Sequence, residues 1–287
     1  MAVNPSINFF FMHIMKTGGT SFSQILARNF SEQERYPDCC LDADADFGRR
    51  TESYIHVPSL VRDANAQRPL PRIVAGHVPY ATRELLDGER VTLTLLRHPV
   101  DRTVSYLKHC KRYHPEHADA ALHDIYEKPW FRAMFIDNYQ TRILSMTAAE
   151  SVADTRLDIE PSPLPTLAEL KEGASLSPEA QAFQQRNPAR FILELFNSCT
   201  GAIEVDEGRL QRARANLDAI EVVGVTEHYN AFLGQLQARY QWLVPDLPRE
   251  RAGSDERASG ELATRIAQDN WADMALYEHA RGRALTD

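Results

Sequence analysis

The chain has 287 residues, of which 43% are hydrophobic and 25% charged; these values permit a sizeable core and argue against wholesale disorder. A formal net charge of −8 speaks against general nucleic-acid binding, which needs a broad basic face. It leaves room for an anionic ligand held by a few focused cations, in one large α/β domain or two small ones.

The first apolar run, Ile7 to Met15, is nearly continuous in apolar or β-favouring residues, the pattern of a strand covered on both faces. It is too short to span a bilayer and contains Asn8 and His13. No basic stretch precedes it and no clear cleavage site follows, so it does not read as a secretory signal, and a cytoplasmic location is expected. Phe22, Ile25, Leu26 and Phe30 then share one helical face. Further strands are predicted at Ile73–Ala75 and Val91–Leu96. After the latter, Pro99 suits a first helical turn, with Val100, Val104 and Leu107 as the apolar stripe. Leu157–Pro178, rich in Pro, Ser and acids, reads as a long loop. Leu210, Ala213 and Leu217 form a helical stripe leading into a fourth strand, Glu221–Val225. Thr226 is the predicted N-cap of a helix carrying Phe232, Leu233, Leu236 and Tyr240. Val244–Gly260 is irregular, and a C-terminal helix is predicted around Leu262–Ala280. Strands alternating with helices imply an α/β fold, a central parallel sheet flanked by helices. With no internal repeat, residues 1–287 are expected to form one domain with irregular insertions near 31–70 and 145–200.

The densest chemical signal lies where the first strand ends, in Lys16-Thr17-Gly18-Gly19-Thr20-Ser21. Paired glycines let the backbone turn tightly and bring N–H groups close to an anion, and the start of the following helix adds partial positive charge. Lys16 supplies a full charge; Thr17, Thr20 and Ser21 supply hydroxyls. This predicts a P-loop-like phosphate-binding loop. In the nucleoside-triphosphatase loop the Lys follows the glycines and the next Ser/Thr holds magnesium. Here Lys16 precedes them, and the Val91–Leu96 strand ends in Arg97 rather than in a metal-holding Asp. Such a site suits a donor that transfers without a bridging metal, and no metal is expected.

Arg97 at that strand end could grip a second phosphate bidentately, with Ser105 donating from the adjoining helix. His77 follows the short strand at Ile73–Ala75. Lys16, His77, Arg97 and Thr226 therefore all follow strand ends, and in an open parallel sheet those ends converge on one crevice. A histidine there can take a proton near neutral pH.

Other clusters carry less. His109, His114, His117 and His123 lie close in sequence, but among Lys111, Arg112 and several acids they read as a polar helix or lid rather than a metal site. Tyr113, Tyr126, Trp130 and Phe131 suit either sugar stacking or core packing. Trp271, Met274 and Tyr277 are ambiguous in the same way, their spacing equally fitting burial of a C-terminal helix. Cys39, Cys40, Cys110 and Cys199 fit neither a zinc pattern nor a disulfide framework.

Lys16–Ser21 resembles the 5′-phosphosulfate loop of sulfotransferases that use 3′-phosphoadenosine 5′-phosphosulfate (PAPS), and Arg97–Ser105 resembles their 3′-phosphate motif. The spacing and the intervening Gly76-His77 are similar to the carbohydrate branch that includes the heparan and uronyl 2-O-sulfotransferases. Asp137–Arg142, Val223–His228 and Asn270–Tyr277 also fit that branch. The resemblance implies a sulfotransferase-type fold and PAPS as donor. It implies that Lys16 meets the oxygen bridging phosphate and sulfur, that Thr17, Gly18, Gly19, Thr20 and Ser21 hold the 5′-phosphate, that Arg97 and Ser105 bind the 3′-phosphate, and that His77 is the catalytic base. A glycan hydroxyl is the acceptor it points to. Met15 and Ala75 depart from the pattern: the family often has Pro at the first position, and the 2-O-sulfotransferases carry a second histidine at the other. A small-molecule kinase and a non-catalytic nucleotide-binding module are the competing readings.

Overall fold

A computed structural model describes residues 3–37, 53–113, 117–153, 175–186, 198–244 and 258–284. Cys39, Cys40, His114 and most of the predicted irregular stretches at Leu157–Pro178 and Val244–Gly260 lie outside the described residues, as do the side chains of Thr20, Tyr113 and Cys199.

The sheet has five parallel strands: β1 (Phe9–Met12), β2 (Arg35–Tyr36), β3 (Ile73–Gly76), β4 (Val91–Leu96) and β5 (Val222–Val225). Their order is β2-β3-β1-β4-β5. Four strands fall where the apolar runs predict. The two-residue β2 lies within the stretch read as an insertion, being too short to leave a periodic signature. The helices that matter for the site and its support are α1 (Gly19–Asn29), α2 (Val57–Ala66), α3 (Pro99–Tyr113), α4 (Tyr139–Ser145), α5 (Glu207–Asp218), α6 (Tyr229–Tyr240), α7 (Gly260–Asp269) and α8 (Trp271–Ala284), with shorter or peripheral helices elsewhere among the described residues.

Alternation along each strand divides the core into two layers. Phe9 and Phe11 point to one side and pack with Phe22 and Ile25 of α1 and with Phe232 and Leu236 of α6. Phe10 and Met12 point to the other and join Leu60 of α2, Leu107 of α3, Leu217 of α5 and Leu276 of α8. Burial on both faces is why the strands read as continuous apolar runs. Gly224 marks the tightest approach: a Cβ there would lie 2.6 Å from the Cβ of Phe232.

Two predicted elements differ from the structure. Thr226 does not cap α6. It opens a short 3-10 turn, Thr226–His228, and its hydroxyl donates to Leu96 O at 3.0 Å and Thr17 O at 3.3 Å, bonds that hold it at the sheet edge. The single C-terminal helix is two, α7 and α8, broken at Asn270 (φ −105°, ψ 39°). Asn270 is fully buried, donates through Nδ2 to Ile266 O and accepts from the Asn138 N–H at 2.8 Å. That tertiary bond takes its side chain back across the α7 terminus, and the chain restarts as α8. Tyr126, Trp130 and Phe131 are buried in the main core, which decides them as packing residues, whereas Trp271 is 42% exposed. Cys110 is buried. No helix among the described residues is long and apolar enough to cross a membrane.

Candidate functional site

β1 is the topological switch of the sheet: β3 and then β2 lie to one side of it, β4 and then β5 to the other. A crevice opens at the carboxyl ends of such strands. Met12 of β1 is level with Gly76 of β3 and Thr94 of β4, and Leu96 of β4 is level with Val225 of β5. The residues that follow the strands therefore emerge at one edge. His77 comes directly after β3, Arg97 directly after β4 and Thr226 directly after β5, while Lys16 stands four residues past the end of β1.

Contacts tie Arg97 and Thr226 to the loop that carries Lys16. Arg97 Nη1 donates to Lys16 O at 3.3 Å, and Thr226 Oγ1 reaches Thr17 O on the same loop. Lys16 has φ 70°, a left-handed conformation that costs a non-glycine residue about 1 kcal/mol or more. The guanidinium of Arg97 and the hydroxyl of Thr226 thus fasten two consecutive carbonyls of the turn. Gly18 follows at φ 98°, and a side chain on it would meet nothing within 4 Å, so the loop is open above this residue. Gly18 occupies the N-cap position of α1 and no side chain caps the helix; its first turn contains no acidic residue. The opening N–H groups of α1 lack intrahelical acceptors, as at any helix start, and carry partial positive charge. Thr17 is fully buried and its hydroxyl donates to Ile14 O at 2.8 Å. It shapes the loop from within, and only its main chain remains to meet a ligand. Ser21 is half-buried in the first turn of α1.

Arg97 is held from behind. Gln140 accepts from its N–H at 3.1 Å and donates to its carbonyl at 3.0 Å, a two-point clamp on the main chain by one amide side chain. Ser105 lies half-buried in the second turn of α3, and no contact of its hydroxyl joins it to Lys16 or Arg97 among the described residues.

His77 is held by two residues, Tyr54 and His13. Its N–H donates to Tyr54 O at 2.7 Å, and its Nδ1 lies 2.7 Å from His13 O. A carbonyl only accepts, so Nδ1 carries the proton and the lone pair of the neutral ring sits on Nε2. Burial, opposed by the His13 carbonyl and reinforced by the nearby Lys16 ammonium, pushes the His77 pKa down to about 4. The imidazole is therefore a neutral base at physiological pH.

One participant escaped sequence reasoning. His13, which counted there only as a polar residue in an apolar run, is 8% exposed, and its ring centroid lies 4.2 Å from that of His77. Its Nδ1 is 2.5 Å from the Tyr54 hydroxyl. Burial, then His77 and Lys16, hold its pKa well below the ordinary value. Its one signal in the sequence is its place directly after β1, matching His77 after β3. No group of three or more metal-ligating side chains is assembled among the described residues.

No family model matches this chain, and no curated protein matches it in sequence. A functional reading rests on the residues and their placement.

Proposed function

We propose that this chain moves a sulfuryl group from PAPS to an acceptor hydroxyl, with a glycan as the leading acceptor class, and that Lys16–Ser21 is its phosphate loop. The observation that carries the reading is the contact between Arg97 Nη1 and Lys16 O. It joins two cationic residues from different strand ends around one glycine turn, and the His77 imidazole lies within electrostatic reach of Lys16. A donor with phosphates at two ends of one nucleoside matches two cationic anchors. The open space over Gly18 and the uncapped start of α1 suit the close approach of an anion.

The reaction assigns each group a task. The acceptor O–S bond forms as the bond from sulfur to the bridging phosphate oxygen breaks, and the electron pair leaves on that oxygen. His77 Nε2 takes the acceptor proton. Lys16 and the loop amides stabilise the charge that develops on the departing adenosine 3′,5′-bisphosphate. Arg97, with Ser105 on the adjoining helix, would hold the 3′-phosphate and fix the donor for in-line attack.

Calorimetry with adenosine 3′,5′-bisphosphate and with ADP, each with and without magnesium, tests the donor class. The proposal expects the bisphosphate to bind more tightly and independently of magnesium. Preference for ADP with magnesium would overturn it in favour of a kinase, and bisphosphate binding without any transfer activity in favour of a binding module.

A further inference from the structure

The imidazole of His13 is wedged between the loop and the base. A Cβ built on Gly19 would lie 1.8 Å from His13 Cε1 and 1.9 Å from its Nε2, so the ring fills the space a side chain would take at the first residue of α1. On its other side it meets the ring of His77 at 4.2 Å, and it stacks on Phe11 with centroids 5.2 Å apart and planes 15° apart. The Tyr54 hydroxyl holds its Nδ1, while the carbonyl of Tyr54 receives the His77 N–H and the carbonyl of His13 receives His77 Nδ1. Among the described residues, the hydrogen bonds to His77 come from His13 and Tyr54, and those two residues are bound to each other.

We propose that His13 is a positioning residue: its ring sets the distance and tilt of His77 relative to the phosphate loop and makes glycine obligatory at position 19. The inference rests on the reading of His77 as the base. His13 itself touches no reacting atom. The wedge accounts for the second glycine of the Gly-Gly pair on grounds different from the first. Gly18 needs its left-handed φ, whereas Gly19 needs the absence of a Cβ because the histidine stands there.

The titratable groups facing His13 are His77 from the end of β3, Lys16 from the loop and Tyr54 from the 53–55 segment. Removing the ring leaves the His13 carbonyl in place, so His77 keeps a partner for Nδ1 but loses the surface that limits its tilt. The outcome is a base still neutral at pH 7 but no longer locked in position.

The test compares His13→Ala, His13→Asn, Gly19→Ala and the double variant His13→Ala/Gly19→Ala with the unmodified chain. The readouts are thermal melting, calorimetry with adenosine 3′,5′-bisphosphate, transfer kinetics and the ring 15N shifts of His77. Gly19→Ala alone should lower the melting temperature and weaken bisphosphate binding by about tenfold or more, and adding His13→Ala should recover most of both losses, a coupling visible only for residues in contact. His13→Ala alone should bind the bisphosphate nearly normally yet lose roughly 100-fold in kcat, as small misplacements of a catalytic group do. It should also move the His77 ring shifts, and His13→Asn, which can still pair with the Tyr54 hydroxyl, should recover part of the rate. A double variant no better than Gly19→Ala would overturn the wedge. Unchanged kcat and His77 shifts in His13→Ala would overturn the positioning role. If the unmodified chain neither binds the bisphosphate nor transfers sulfuryl, the sulfotransferase reading fails. The wedge would still be decided by melting compensation and the ring shifts.

Discussion

Asn138 and Asp273 each cap the helix that the other belongs to. Asn138 Oδ1 accepts from the N–H groups of Ala272 and Asp273 at 3.0 and 3.2 Å, at the start of α8. Asp273 in turn accepts from the N–H groups of Gln140 and Thr141 at 3.1 and 2.7 Å, and from the Thr141 hydroxyl at 2.8 Å, at the start of α4. Asn138 adopts φ 49°, the left-handed region that asparagine tolerates better than most residues. The next residue but one, Gln140, clamps the main chain of Arg97. Two segments more than 130 residues apart thus brace the strand end that carries the proposed 3′-phosphate anchor.

Asp273 is fully buried and is attracted to the buried guanidinium of Arg102, while burial raises its pKa. Asp273→Ala should destabilise the chain by about 3 kcal/mol or more, because it leaves three buried donors without their acceptor. Asn138→Ala should cost about 1–2 kcal/mol through the lost cap. Urea unfolding of both variants checks the ranking; equal, small losses would show that the reciprocal caps contribute little.

Lys16 and Arg97 meet at one turn from different strand ends but should fail differently. Arg97→Ala removes the proposed phosphate anchor and a tie to the Lys16 carbonyl, so bisphosphate affinity should fall by about 1.5–3 kcal/mol, the loss of one charged hydrogen-bonding partner. Lys16→Ala removes the cation proposed to meet the leaving oxygen, so transfer should fall by about 10²–10³ in kcat, as for loss of one group stabilising developing charge. Single-turnover kinetics beside calorimetry separates the two, and near-normal turnover by Lys16→Ala would remove its assigned role.

His77→Ala should lower transfer by about 10²–10⁴, the usual contribution of general-base catalysis. The pH dependence follows from sign. With the free-chain pKa pushed down to about 4, the base form persists as pH falls from neutrality, and kcat/KM should lose its His77 contribution only on approaching that value. Donor anions near Lys16 offset part of the ammonium charge that depresses His77. The acid limb of kcat should therefore lie at higher pH than that of kcat/KM. Coincident limbs, or a kcat limb at lower pH, would contradict this placement.

The same imidazoles make the fold acid-sensitive. An unfolded histidine takes its proton near pH 6.5, whereas His13 and His77 in the folded chain resist protonation. Stability is therefore full above about pH 6.5 and declines below it as the unfolded state gains protons first, until the folded pKa is passed. For His77 the loss amounts to at most about 3 kcal/mol. Melting temperature followed from pH 7 to pH 4 should fall less steeply for His77→Gln than for the unmodified chain; parallel curves would show that His77 carries none of the acid sensitivity.

The sequence alone determined the positions of four of the five strands and which residues follow them. Short runs of apolar or β-favouring residues mark β1, β3, β4 and β5 because both faces of the sheet are covered. A parallel sheet then brings the residues after those runs to one edge, and in this way Lys16, His77, Arg97 and Thr226 could be grouped before any coordinates. Local patterning could not show how they are held. The Tyr54 hydroxyl reaches His13 across 41 residues, Thr226 ties to Thr17 across 209, and Asn138 meets Asn270 across 132. None of these pairs has a periodic or spacing signature. The role of His13, the tie made by Thr226 in place of a helix cap and the break at Asn270 were decided only by tertiary packing, where a buried polar side chain must find its partner wherever the fold brings one within reach.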